Sequence, residues 1–136
     1  MAIDVRWLLD HKIIQVHITG DISLEDITHL STSILTHFDQ SDASLIHIVV
    51  NKEDSGALPK SLKSVVEGTK FLRHEQLGWF IIYGQLGHGG LAVFFSTVVT
   101  GLAKVRHRRF ETLENSLKFL TTVDSSLPPL DTLVIK

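Results

Sequence analysis

Cysteine is absent from the 136-residue chain, which excludes disulfide staples, thiolate metal sites and a cysteine nucleophile. Proline is scarce, at three residues, and two of these fall in Leu127-Pro128-Pro129-Leu130, where they break the local pattern. Neither sign of charge is in large excess. Thirteen Lys and Arg stand against fifteen Asp and Glu, for a formal charge of -2, so no global positive field draws in nucleic acid and no specific nucleic-acid partner is expected. A long apolar run is also missing. Gln76 to Ala103 contains no Asp, Glu, Lys or Arg, yet Gly84, Gly87, His88, Gly89 and Gly90 divide it into a strand-like and a helix-like part. Neither part nears the roughly 20 continuous apolar residues of a membrane span. The amino end lacks the basic segment and long apolar core of a secretory signal, so the expectation is a cytoplasmic protein without transmembrane insertion.

The length suits a single domain over residues 1–136. Ile3 to Leu9 and Ile13 to Thr19 are rich in apolar and β-branched residues around a polar Asp10-His11-Lys12 turn, which predicts an antiparallel pair. Ile14, Val16 and Ile18 alternate with Gln15, His17 and Thr19, so the second strand is predicted to have one packed face and one more polar face. Ser23 is the predicted N-cap of a helix from Leu24 to Phe38. Asp26 serves as a short capping-box partner, Ile22 and Ile27 form a staple, and Leu30, Ile34 and Phe38 continue the buried face.

Leu45 to Val50 reads as a strand covered on both faces, followed by a loop from Asn51 to Leu58. Pro59 can open a second helix, with Leu62, Val65, Val66, Thr69 and Leu72 as its buried stripe. Trp79 to Tyr83 is a fourth strand. A third helix carries Leu91, Phe95, Val98, Val99 and Leu102, and Val105 to Phe110 is the last strand. Thr112 caps a final helix with Leu113, Leu117 and Leu120 along its stripe. The order β-β-α-β-α-β-α-β-α predicts an α/β fold: a mostly parallel five-stranded sheet with an antiparallel first strand and four covering helices, placed on both faces by right-handed crossovers. Residues 124–136 are left as a docked or exchanged tail, within which Asp131 to Lys136 are also a candidate extra edge strand.

Loops beyond the carboxyl ends of parallel strands converge on a crevice. That rule brings forward Asn51, Asp54 and Ser55 after the third strand, and Tyr83, Gln85 and His88 after the fourth, as a rim for a ligand or partner. Gly87-His88-Gly89-Gly90 offers backbone amides to an anion at the start of a helix or forms an ordinary turn; it is neither a Walker loop nor a dinucleotide fingerprint. The eight histidines show no ligand spacing, so no metal site is expected. Asp54, Ser55 and His88 lack a Gly-x-Ser-x-Gly nucleophile elbow. No catalytic residue is assigned and no cofactor is called for. Lys104, Arg106, Arg108 and Arg109 form the densest positive stretch, suited to contacts with phosphates or an acidic protein or to a solvated strand face.

Val16-His17-Ile18-Thr19-Gly20-Asp21-Ile22-Ser23, Leu77-Gly78-Trp79 and Arg109-Phe110-Glu111-Thr112-Leu113-Glu114-Asn115-Ser116-Leu117 carry a resemblance to a known family. From Val5 to Leu120 the chain resembles the sulfate transporter and anti-sigma factor antagonist (STAS) family, especially its stand-alone STAS-like and SEC14-like bacterial relatives. Classical antagonists carry a phosphorylatable serine in an Asp-Ser-Ser-Gly-like stretch after the third strand. Asp54-Ser55-Gly56 stands in the comparable region with one serine fewer, so the resemblance implies Ser55 as the position of a phosphoswitch. It implies a non-enzymatic regulatory or protein-interaction module, acting on a protein partner or as a homodimer. The SEC14-like branch implies the alternative, a carrier or sensor of a small lipid or other apolar ligand, with the third helix, Phe94 and Phe95 lining its cavity.

Overall fold

The computed structural model describes residues 3–43, 45–55, 74–84 and 106–128, with 52–55 described by backbone alone. Strand β1 (Ile3–Leu9) turns back into β2 (Ile13–Gly20) as an antiparallel pair. Lys12 N–H donates to the Leu9 carbonyl at 3.0 Å to close the turn. His11 there adopts a φ of 65°, a left-handed conformation that histidine tolerates better than most side chains.

Helix α1 (Leu24–Asp39) begins at Ser23 with a complete capping box. Ser23 Oγ accepts from Asp26 N–H at 3.1 Å, and Asp26 Oδ2 accepts from Ser23 N–H at 2.9 Å. Two amide donors that a helix start would leave unpaired are thereby satisfied. The remaining described elements are β3 (Ile46–Ser55), β4 (Leu77–Tyr83), β5 (Arg106–Phe110) and helix α2 (Leu113–Val123), the last capped by Thr112.

The strands lie in the order β1-β2-β3-β4-β5, with β1 antiparallel to β2 and every other neighbouring pair parallel. This is the mixed five-stranded sheet that the strand patterns predict. One face, carrying Ile14, Val16, Ile18, Ile46, Ile48, Val50, Phe80 and Ile82, packs on Ile27, Leu30, Ile34 and Phe38 of α1. The opposite face packs Ile13, Val49, Ile81 and Tyr83 on Leu117 and Leu120 of α2 and on Leu127. Each fully buried Ile, Leu or Phe in these layers contributes about 1.5–3 kcal/mol by leaving water.

Helix placement agrees with expectation, and two other readings change. Helices cover both faces of the sheet: α1, the described crossover, packs on one, and α2, which follows the last strand, packs on the other. The predicted loop from Asn51 begins as strand, because β3 continues to Ser55. The polar residues there pair because β2 also runs on: Thr19 is opposite Asp54 and Gly20 opposite Ser55, after an irregularity between His17 and Thr19. Backbone pairing to a long neighbour overrides a loop-like composition. The expected polar face of β2 is not solvated at Gln15, which is buried. Finally, α1 and α2 are the two helices among the described residues; the helices predicted after Pro59 and around Leu91, together with Gln85, His88, Lys104 and residues 129–136, lie outside them.

Candidate functional site

Parallel register places a row of side-chain positions across the sheet near the strand ends. His17 of β2 is opposite Asn51 of β3, Asn51 opposite Tyr83 of β4, and Tyr83 opposite Phe110 of β5. Neighbours in such a row are about 4.7–4.9 Å apart along the hydrogen-bonding direction. Asn51 and Tyr83, both expected at a rim, are therefore adjacent, and the structure adds His17. One step down the same face, Gln15 bridges two strands. Its Nε2 donates to Tyr83 Oη at 2.7 Å, while its Oε1 accepts from Arg6 Nη2 at 3.3 Å. A buried amide needs such partners to offset its lost hydration, so Arg6, Gln15 and Tyr83 form a polar thread on the α2 face of the sheet.

Ser55 is not part of that row. β3 runs four residues past Asn51, so the Ser55 backbone lies about 13 Å further along, at roughly 3.3 Å per residue. Its Cα partner is Gly20, which has a φ of 68° and leads through Asp21 and Ile22 to the cap of α1. Asp54 is next to it, opposite Thr19. The strand-end candidates thus divide into a row at Asn51 and Tyr83 and a separate place at Asp54 and Ser55 beside the entry to α1.

The cationic strand also divides. Arg106 is opposite Trp79 and Arg108 opposite Ile81, whereas Arg109 is opposite Ile82. Trp79 and Ile81 belong to the α2 side and Ile82 to the α1 side. Side chains alternate along a strand, so the three arginines of the cluster read from the sequence divide between the two faces of β5. All four residues from Arg106 to Arg109 are exposed.

One site has no sequence signal that singles it out. His47 on β3 is only 1% exposed. Its Nε2 lies 2.8 Å from Asp124 Oδ2, and its Nδ1 is 2.9 Å from the Trp79 amide nitrogen. An amide can only donate, so Nδ1 is the acceptor and the proton resides on Nε2, donated to the carboxylate. The β3–β4 register shifts at this point, between Ile46 opposite Leu77 and Ile48 opposite Phe80. Gly78 and Trp79 therefore face the single residue His47, and the ring receives the amide that the irregular ladder displaces. Gly78 must lack a side chain here, since a Cβ would lie 2.5 Å from Nδ1. Burial pushes the His47 pKa below 6.5; the Asp124 hydrogen bond and charge oppose that shift, and Arg106 and Lys12 reinforce it. A histidine within Leu45-Ile46-His47-Ile48-Val49 reads only as an interruption in an apolar run. Its partner Asp124 lies at the C-cap of α2, and that distance in sequence hides the pair.

Among the described residues no three His, Asp or Glu side chains are grouped to hold a metal ion. No described helix is long and apolar enough to cross a membrane.

No protein-family model matches the chain, and no curated protein matches it. Among solved structures it is similar to the crystal structure of an uncharacterized protein of the DUF3478 family, with a SpoIIAA-like fold, from Shewanella loihica PV-4. The two share 15% identity over 88% of this chain and 92% of that one, with a TM-score of 0.62. At that identity the likeness bears on architecture, and it agrees with the strand order and register described above: the chain has a SpoIIAA-like, that is STAS-like, fold.

Proposed function

We propose that the chain is a non-enzymatic regulatory or protein-interaction module, a single domain that works in the cytoplasm through a protein partner or as a homodimer. The observation that carries this reading is the position of Ser55. It ends β3 beside Gly20, at the approach to α1, in a chain whose fold is STAS-like. A phosphoryl group on Ser55 would add about -1.5 to -2 charge. Asp54 precedes Ser55, and Asp21 follows its pairing partner Gly20, so the added charge enters an acidic neighbourhood. Like-charge repulsion there favours loosening the end of the β2–β3 ladder over docking it more tightly, which gives the switch a physical direction.

The test compares wild type, Ser55→Ala and Ser55→Asp. Native mass spectrometry reads whether each is monomer or dimer, and crosslinking in the producing cell reads which complexes each enters. The proposal expects a complex that Ser55→Ala keeps and Ser55→Asp loses, while the circular dichroism of all three variants agrees. Identical complexes from all three would remove Ser55 as the switch. A retained nonprotein mass on freshly purified wild type would instead support the apolar-ligand carrier.

A further inference from the structure

His47 holds two neighbours by opposite sides of one ring. Its Nε2–H donates to Asp124 Oδ2 at 2.8 Å, and its Nδ1 accepts the Trp79 amide at 2.9 Å. The residue is only 1% exposed, so water does not replace either bond unless the surroundings move. Nε2 already carries a proton, and a second one can enter the ring only at Nδ1. There it meets the Trp79 N–H, a group that only donates. The two bonds therefore respond to acid in opposite senses. The contact with Asp124 becomes charge-assisted and strengthens, whereas the Trp79 amide loses its acceptor and faces another N–H.

The packing assigns the resulting movement to the start of β4. Asp124 is anchored in its turn by Ser126 Oγ and N–H at 2.6 and 2.9 Å, and its own N–H donates to the Leu120 carbonyl at 2.9 Å. The ring itself has little room to turn away, because a Cβ on Gly78 would lie 2.5 Å from Nδ1 and 2.6 Å from Cε1. The β4 side differs, since its ladder is already irregular. Ile46 is opposite Leu77 and Ile48 opposite Phe80, and the extra residue between them lets the strand bend while the pairs on either side persist. Trp79 is half-buried and its indole packs edge-on against Phe119 at 4.8 Å, so a displacement of its backbone reaches the aromatic flank of α2.

The surrounding charges oppose one another at the ring. Burial most strongly disfavours a charge on His47, the hydrogen bond and carboxylate of Asp124 at the C-cap of α2 favour one, and Arg106 on β5 and Lys12 in the β1–β2 turn disfavour it. Once formed, the imidazolium is buried beside the carboxylate, and separating the two leaves each charge without compensation. The ion pair stays closed and the amide gives way.

We infer that His47 is an acid-operated latch: proton uptake at Nδ1 releases the Trp79 amide and loosens the entry of β4 at Gly78 and Trp79, while the link from β3 to the C-cap of α2 holds. The latch requires neither a modified Ser55 nor a partner, so its test and the Ser55 comparison stand or fall separately.

The full chain, isotopically labelled, is followed by NMR from about pH 8 into acid, through the range in which histidine titrates. Ring nitrogen shifts of His47 report where the proton binds, and amide hydrogen exchange, corrected for the intrinsic effect of pH, reports each junction. Protection of the Trp79 amide is expected to fall by about tenfold or more as the ring titrates, the effect of a buried donor losing its acceptor. The amides of Asp124 and Leu127, bonded to the Leu120 and Asp124 carbonyls, should keep theirs. Two variants fix the cause. Arg106→Gln, at an exposed position, removes a charge that opposes proton uptake and should move the midpoint of Trp79 release to higher pH; Asp124→Asn removes the carboxylate that favours uptake and should move it lower. Loss of protection at Trp79, Asp124 and Leu127 together, unchanged Trp79 protection once the ring has taken its proton, or a midpoint in either variant that fails to move as stated would each overturn the proposal.

Discussion

His47 and Asp124 join the middle of the sheet to the end of α2 through a 2.8 Å hydrogen bond. The carboxylate is itself fixed by its own turn, where Ser126 Oγ and Ser126 N–H donate to Asp124 Oδ1 at 2.6 and 2.9 Å. The other imidazole nitrogen accepts the Trp79 amide. One ring thus connects β3, the irregular start of β4 and the C-cap of α2.

Space around that ring is limiting, because a Cβ on Gly78 would approach within 2.5 Å of Nδ1 and 2.6 Å of Cε1. Gly78→Ala is expected to destabilise the protein by about 1–3 kcal/mol, the usual cost of overpacking. His47→Ala should itself be destabilising, since it leaves the Trp79 amide without its acceptor. In the double variant the two costs should not add, with a coupling of about 0.5–3 kcal/mol, because the shortened side chain makes room for the new methyl group. Urea denaturation of the four proteins measures this, and simple additivity would show that the two residues do not compete for space.

Acid should weaken the same junction in two stages. His47 titrates below 6.5 in the native state, chiefly because of burial. Between that lowered value and 6.5 the unfolded chain binds a proton that the native chain does not, so stability falls as pH drops through this window and levels off below the native pKa. The Asp124 carboxyl also titrates low: burial would raise its pKa, but hydrogen bonds from Ser126 and His47 outweigh it and hold it below 3.8. Its contribution is therefore complete above 3.8 and is lost as pH falls through the lower native value. Urea midpoints of wild type and His47→Gln, compared from about pH 8 to about pH 5.5, the range in which histidine titrates, should converge as pH falls. A gap that widened toward acid would contradict the assignment of a neutral native His47.

Tyr83 and Gln15 should behave as a unit. Tyr83→Phe removes the acceptor 2.7 Å from the Gln15 amide and is expected to cost about 1–3 kcal/mol, because a buried donor is left unpaired. Adding Gln15→Leu removes the orphaned donor as well and should recover part of the loss. Thermal unfolding of the single and double variants distinguishes this from independent packing defects.

At the start of α1, Ser23→Ala deletes the acceptor for the Asp26 amide and should cost about 1 kcal/mol, within the range for lost N-caps. Asp26→Ala breaks the reciprocal bond to the Ser23 amide. The double variant should lose less than the sum, since each residue satisfies the other's backbone. Melting temperatures across this cycle provide the check.

Elements with strong local periodicity were legible before any tertiary contact. Ser23 with Asp26, the stripe Ile27-Leu30-Ile34-Phe38, the Thr112 cap and the pair Leu117-Leu120 all behave as their spacing predicts. These signals lie within one or two helical turns, where one side chain meets another without help from the rest of the chain. Asn51 to Ser55 misled because composition reports solvation, whereas strand length was set by the neighbouring β2. Tyr83 and Asn51 are readable as neighbours because adjacent parallel strands carry them; Ser55, four residues further on, joins them only if a loop begins at Asn51, and β3 instead continues to Ser55.

Among the described residues, sequence alone located the five strands apart from the extension of β3, the starts of α1 and α2, and a β-β-α opening that leads into a mostly parallel sheet. Those properties depend on short-range spacing and amide capping. Tertiary structure alone decided that His47 meets Asp124, that Gln15 is buried against Tyr83, and that the basic run from Arg106 to Arg109 divides between two faces. Such relationships depend on register between strands and on helix placement, which bring together residues far apart in the chain and which no local pattern specifies.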